Sequence, residues 1–260
     1  MRILLTNDDG ADSPGILLLA DALRGAGHRV FMVAPSYNAS GVSHCITFFK
    51  GPRKFAEIGR DSYSLDGTPA DCVVVAVRGG IPEIDMRKGT PPDAVISGIN
   101  HGANLGTDIV YSGTAAAARQ AAFGGIRSLA LSLVHADLFS WDDKAVHWNT
   151  AVAFVTERLD EMLGYWKPDT FVNVNIPNRA EKPAALVRAF PSRRIYNDRI
   201  TLQKGADGET YCHAGIEEVS GNSRNGSDWD VVGENNASLS EVYIHPVLLE
   251  NVGSGCKCKG

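Results

Sequence analysis

Asn7-Asp8-Asp9-Gly10 sets two neighbouring carboxylates between an amide and a glycine. Adjacent carboxylates repel, and holding both ionised is costly unless a cation neutralises them. A divalent metal is the simplest neutraliser. A turn in which Asn and Asp bond their own backbone is the alternative. Two further stretches carry the same kind of donor. One is Pro35-Ser36-Tyr37-Asn38-Ala39-Ser40-Gly41-Val42-Ser43-His44; the other runs from Gly98 to Asp108 and includes Asn100, His101 and Asn104. Carboxylates, hydroxyls and amide oxygens are hard ligands suited to Mg²⁺, Mn²⁺ or Ca²⁺. No Cys/His set stands at zinc spacing. A solvated Gly-rich turn is the plain reading of 98–108, but a loop this long without regular structure argues for function. Tyr111-Ser112-Gly113-Thr114 then opens an Ala-rich run. Free N–H groups and the dipole at a helix start favour an anion such as phosphate; ordinary capping by Ser112 accounts for the same residues. His44 and His101 lie in these loops and could donate a proton to a leaving oxygen or serve as structural hydrogen-bonders.

These residues need a scaffold that brings their loops together. Arg2 to Thr6 is a short apolar run ending in Asn-Asp-Asp-Gly, a buried strand followed by a turn. Ser13-Pro14 opens an amphipathic stretch, Gly15 to Gly25, where Pro suits the first helical turn. Arg29 to Ala34 is a second buried strand. Strand, helix, strand with short joints is a βαβ unit and predicts a parallel sheet. Asp71 to Val77 is apolar, and Thr68-Pro69 before it favours helix. Asp93 to Ser97 and Ser128 to Val134 read as strands, with an Ala-rich helix from Gly113 to Phe123 between them. Ser140-x-x-Asp143 resembles a helix-capping signal, ahead of a stripe of Ala151, Val155, Leu159 and Leu163. Phe171 to Ile176 is a strand stopped by Pro177. Beyond Pro191 the chain turns polar, and Asp207-Gly208 between Ile200-Thr201-Leu202 and Thr210-Tyr211-Cys212 is a hairpin signal. Glu241 to Leu249 restores a strand-like pattern. The expected architecture is α/β: a Rossmann-like, mostly parallel sheet with helices on both faces. It forms one domain over 1–260, with a protruding hairpin segment at 190–235. In such sheets ligands bind at the carboxyl ends of the strands, where the three loops would meet.

The whole chain narrows the function classes. Its 260 residues carry a net charge of -5, which argues against a nucleic-acid polymer as partner. A small anionic substrate stays compatible, because a bound cation reverses the local field. Five scattered cysteines suit a reduced, cytoplasmic protein. Cys256-x-Cys258 lacks a partner pair and reads as a frayed tail. Met1-Arg2 leads into Ile3-Leu4-Leu5, too short a run for a secretory signal core, and no run approaches membrane-spanning length. The dinucleotide-binding glycine motif, the P-loop and the serine-hydrolase elbow are all absent. A metal-dependent glycosyltransferase and a nucleotide-binding stress protein remain as rival readings.

Several motifs together resemble the SurE family, survival protein E, the 5'/3'-nucleotidases. They are Ile3 to Gly10; Ala34-Pro35 through Ser40-Gly41 and Ser43-His44; Gly67-Thr68-Pro69-Ala70-Asp71-Cys72-Val73; Ser97-Gly98-Ile99-Asn100-x-Gly102-x-Asn104-x-Gly106; and Tyr111 to Thr114. They stand in family order at family spacing over roughly residues 1–135. Asn173 to Pro177 and Tyr196-x-Asp198 continue the match more loosely. The resemblance implies one divalent metal per subunit, Mg²⁺ or Mn²⁺ with Ca²⁺ as an alternative occupant, held by Asp8, Asp9, Ser40 and Asn100. On a metal held there, Asp8 or Asp9 would be the catalytic carboxylate that orients a water or takes its proton, and the resemblance implies phosphate contacts from Asn104, Ser112, Gly113 and Thr114. It also implies hydrolysis of nucleoside 5'- and 3'-monophosphates, with short polyphosphate as a further substrate. The expected assembly is a homodimer or tetramer that exchanges the late hairpin, with no nucleic-acid polymer and no membrane as partner. Three positions depart from the family pattern: Gln120 where Glu is usual, Arg127 where Pro is common, and His245 in the closing Ile244-His245-Pro246.

Overall fold

Strand β1 (Arg2–Thr6) lies in the interior of the sheet, and both its faces are buried. Ile3 and Leu5 point to one layer and Leu4 to the other, as the two-residue period of a strand requires. The computed structural model describes residues 1–135, 146–222 and 225–246. The Ser140/Asp143 capping signal and the Cys256-x-Cys258 tail lie outside these residues.

Nine strands form one sheet. In chain order they are β1, β2 (Arg29–Pro35), β3 (Phe55–Gly59), β4 (Ser62–Leu65), β5 (Ala94–His101), β6 (Ser128–Val134), β7 (Thr170–Pro177), β8 (Leu186–Arg188) and β11 (Ala237–Tyr243). Across the sheet they run β3-β4-β2-β1-β5-β6-β7-β11-β8. The block from β4 to β7 is wholly parallel. Antiparallel pairing enters only where β3 meets β4 and where β11 meets β7.

Helices cover both faces, as expected. Helix α1 (Pro14–Gly25) and helix α4 (Trp148–Gly164) bury Ile16, Leu19, Leu23, Phe154, Val155, Leu159 and Met162 on one side. Helix α2 (Pro69–Val75) and helix α3 (Gly113–Phe123) cover the other with Cys72, Val73, Ala117 and Ala121. Thr68 caps α2 through a full capping box with Asp71, which satisfies two orphan N–H groups at once. Ala115 to Ala118 in α3 are completely buried. Their small side chains let this helix lie close on the sheet. No helix among the described residues is long and apolar enough to cross a membrane.

The hairpin stands apart. Strands β9 (Arg193–Lys204) and β10 (Thr210–Asn222) pair with each other in a separate two-stranded ribbon, with Lys204 opposite Thr210 and Leu202 opposite Cys212. A short helix, α5 (Asp228–Gly233), returns the chain to β7 and β11.

Four details differ from the sequence expectation. Strand β5 runs on to His101 instead of stopping at Ser97, because its ladder with β6 resumes at Asn100 after an irregularity. The long loop is therefore shorter and holds a 3-10 turn at Gly106–Val110. The last core strand runs over Ala237–Tyr243 and so begins before Glu241, because Ser238, Leu239 and Ser240 pair with β7; residues 247–249 of the expected run lie outside the described residues. Residues 55–65 form two strands with no strong apolar alternation of their own; β4 gains its place by pairing with β2.

Candidate active site

Thr6 ends β1, and the next four residues turn sharply at the carboxyl edge of the sheet. Asn7 builds the turn: its Nδ2 donates to Gly10 O at 2.8 Å and to Ser13 Oγ at 2.7 Å. The self-bonding role weighed for the whole motif thus falls to Asn7, and the carboxylates of Asp8 and Asp9 serve other contacts.

Asp8 faces the start of α3. The Thr114 hydroxyl donates to Asp8 Oδ1 at 2.5 Å and the Thr114 N–H to Oδ2 at 3.1 Å. Gly113 lies so close that a Cβ there would fall 2.8 Å from Asp8 Cβ and 2.9 Å from its Oδ2, so only glycine fits. Asp9 faces β5, and its Oδ2 accepts from the His101 N–H at 2.9 Å. The Ser40 loop joins the same corner, with the Ala39 N–H donating to Asp8 O at 2.7 Å. That loop is tied to the 3-10 turn by Ser43, whose hydroxyl bonds Val110 O and whose N–H bonds Tyr111 O. Ser40 is exposed and Asn100 is buried at the end of β5, where its Nδ2 donates to Gly102 O.

The carboxylates are unsettled as they stand. Burial, and the charge of Asp9 beside it, push the Asp8 carboxyl up to about 7. Burial also raises Asp9, against the pull of the His101 N–H. Among the described residues, no lysine or arginine forms an ion pair with either. A buried and a half-buried carboxylate of raised pKa, with no cation paired to either among the described residues, fit a divalent metal. The remaining donors are neutral oxygens, and no group of three His, Cys, Asp or Glu gathers among the described residues. That donor set suits a hard cation that keeps part of its water shell better than zinc.

The other expected residues divide. Ser112 caps α3 by accepting from the Ala115 N–H at 3.0 Å, and Thr114 is engaged by Asp8. Asn104 lies beneath the loop. Its Nδ2 donates to Ser132 Oγ, its N–H to Asn175 Oδ1, and its carbonyl accepts from Asn173 and Asn175. Its contacts fasten the loop to β6 and β7. His44 donates from Nε2 to Gln120 Oε1 at 2.9 Å and stacks on Phe123; burial holds its pKa below the usual histidine value.

The sequence reading missed what holds the loop in place. Asp228 is fully buried in α5, and its carboxylate accepts from the Gly106 N–H at 2.7 Å and the Ser192 N–H at 2.8 Å. Gly106 has φ +52°, and a Cβ there would overlap Ser192 O. Two residues on, Asp108 pairs with the buried Arg194 and accepts from the Tyr196 hydroxyl. Asp-x-x-Val after Ser227 shows a cap, but nothing local shows that its carboxylate spans to Gly106. A larger hollow of about 480 Å³, between Arg24, Arg29 and Ser62, opens at the opposite edge of the sheet and touches none of these residues.

Comparison with known proteins agrees with this geometry. The chain matches the family described as Survival protein SurE over residues 3–197. It is 35% identical over 260 residues to a 5'-nucleotidase SurE of Xylella fastidiosa, covering 97% of this chain and 94% of that one. A 5'-nucleotidase SurE of Geotalea uraniireducens is 36% identical over 246 residues, covering 94% and 93%. The crystal structure of the SurE protein from Aquifex aeolicus superposes with a TM-score of 0.79 at 33% identity, covering 96% of each chain. With paired carboxylates at the end of the first strand and the start of α3 closing over them, the chain belongs to the SurE family.

Proposed function

We propose that this chain is a metal-dependent phosphomonoesterase that hydrolyses nucleoside 5'-monophosphates to nucleoside and phosphate, with 3'-monophosphates and short polyphosphate as further substrates. The observation that carries the proposal is the packing of Gly113 and Thr114 against Asp8. It places a helix start, which favours anions, beside carboxylates that need a cation.

Asp8, Asp9, Ser40 and Asn100 would hold one Mg²⁺ or Mn²⁺, with Ca²⁺ as an alternative occupant. Such an ion, when bound, lowers the pKa of water and offsets charge on the transferring phosphoryl group. Asp8 is locked through both oxygens to Thr114 and sets the geometry. Asp9 uses one oxygen on the His101 N–H, and its other oxygen is the one to orient water and take its proton. The water oxygen bonds to phosphorus as the ester P–O bond breaks, and the nucleoside oxygen leaves with a proton. His44 is bound to Gln120, so it acts as that donor only if this bond opens.

The relatives' name, 5'-nucleotidase, supports the substrate class. We place the protein in the cytoplasm, in keeping with free thiols at Cys45, Cys72 and Cys212. We further propose a homodimer or tetramer built by exchange of the 190–235 segment. Ile195, Ile200, Leu202 and Tyr211 are exposed on the ribbon, and apolar surface of this kind favours a partner. The test is phosphate release from a panel of nucleoside 5'- and 3'-monophosphates with Mg²⁺, Mn²⁺ or EDTA. Release that EDTA abolishes is expected. No release with any metal leaves a binding protein, and turnover of a sugar nucleotide alone would turn the assignment to glycosyl transfer.

A further inference from the structure

The parallel strands deliver a second feature to the edge that carries Asp8 and Asp9. A cavity of about 280 Å³ opens beside the ends of β6 and β7, walled by Leu105, Val134, His135, Pro177 and Trp229, with Arg179 at its rim. Val134 is the last residue of β6 and Pro177 the last of β7. Leu105 directly follows Asn104 in the site loop. The strand order β1-β5-β6-β7 puts this cavity two to three strand spacings from Asp9, roughly 10–14 Å. That is about the length of an extended nucleoside monophosphate. Two histidine rings span the gap: His101 and His135 have centroids 4.6 Å apart, and the His101 N–H holds Asp9.

The walls suit a flat, uncharged ring. The Trp229 indole is half-buried and carries the Arg194 guanidinium 4.8 Å from its centroid. Leu105, Val134 and Pro177 are buried and apolar. His135 is fixed in orientation and proton position. Asn178 Oδ1 accepts from the His147 N–H at 2.8 Å, so its Nδ2 is turned to His135 Nδ1 at 3.1 Å, leaving the ring proton on Nε2. Burial and the neighbouring His101 lower the His135 pKa, which keeps this wall neutral. Among the described residues, no carboxylate or lysine lines the cavity. A sugar or phosphate would find few partners here, whereas an aromatic base gains apolar contact on its faces. Arg179 is exposed at the rim and is a pure donor. A 6-oxopurine presents O6 and N7 as adjacent acceptors, the pair a guanidinium fork matches; adenine sets an amino donor beside N7.

We infer that this cavity is the base subsite of the nucleotide site, that it takes a purine, and that Arg179 favours 6-oxopurines over adenine. The inference rests on the reading that the phosphate lies at Asp8, Asp9 and Gly113.

Val232 also borders the cavity and is half-buried on α5, so Val232→Trp fills the space without touching the carboxylates. Steady-state rates would be compared for inosine 5'-monophosphate, adenosine 5'-monophosphate and ribose 5-phosphate, which carries the phosphate without a base. Val232→Trp should lower kcat/KM for inosine 5'-monophosphate by about tenfold or more through KM, and leave ribose 5-phosphate unchanged. Arg179→Ala, a surface change, should erase the preference for inosine over adenosine 5'-monophosphate. Equal losses on the base-free substrate, or no loss on any substrate, would overturn the subsite. Calorimetry with inosine and the metal-free chain separates this inference from the reaction. Inosine binding to wild type and not to Val232→Trp supports the subsite even if no substrate releases phosphate, in which case the phosphatase reading alone falls. Absent binding, or equal binding to both, overturns it.

Discussion

The site corner and the β9–β10 ribbon are built on opposite principles. At the corner, residues from β1, β5, α3 and two loops fasten one another through buried groups: Thr114 to Asp8, His101 to Asp9, Asp228 to Gly106. In the ribbon, 12- and 13-residue strands pair mainly with each other, and Ile200 and Leu202 face water. The two meet at one joint, the buried pair of Asp108 and Arg194, flanked by the aromatic rings of Tyr196 and Trp229. Burial from many directions holds a geometry without help from a partner. A two-stranded ribbon is marginal alone and calls for another surface.

The sharpest test of the comparison is Asp8→Asn. It should cut metal-dependent phosphate release by on the order of 10³-fold while circular dichroism and the oligomer size stay unchanged. A variant that loses its fold, with activity intact in the fraction that stays folded, would remove Asp8 from the reaction.

The joint comes next. Arg194→Met leaves Asp108 buried without its cation, which should cost about 3 kcal/mol in a urea melt. It should also lower activity, because the turn at 106–110 loses its anchor to the ribbon. A melt that stays unchanged would mean that the contacts of Asp228, Asn104 and Ser43 hold this loop without the pair.

On the ribbon itself, Leu202→Ser should change stability of the subunit by less than about 0.5 kcal/mol, as at other exposed positions. Its effect should appear in sedimentation, as a shift toward smaller species. An unaltered assembly with lost activity would mean that the ribbon serves the site and not the assembly.

The smallest effect concerns His44. Its folded pKa lies below the usual 6.5, with burial as the main cause and the Gln120 hydrogen bond opposing it. The unfolded chain therefore binds more protons between that lowered value and 6.5, and this group's contribution to stability grows as pH rises through the window. Gln120→Glu sets a carboxylate against the ring and should raise the His44 pKa, read by NMR titration of its ring protons, and so reduce or reverse the slope. An unchanged titration would place the Nε2 contact outside the folded ensemble in solution.

Much of this protein is local in origin. The run Ile3-Leu4-Leu5 followed by Asn7-Asp8-Asp9-Gly10 specifies a buried strand and the turn after it, because apolar content and turn chemistry act within a few residues. Ser112-Gly113-Thr114 ahead of the alanines specifies the start of α3 in the same way. The βαβ order then sends both to one sheet edge. Other features depend on partners distant in the chain. Residues 55–65 become strands only against β2 and each other, and β11 takes its register from β7. Asp228 meets Gly106 across 122 residues and Arg194 meets Asp108 across 86. No spacing rule connects such pairs, since their contact exists only once the sheet has brought its strand ends together. The sequence by itself determined the end of β1, the paired carboxylates and the helix that faces them. Tertiary structure alone decided which carboxylates anchor loops, which histidines meet, and where the cavity beside them opens, because burial and long-range pairing are properties of the assembled chain.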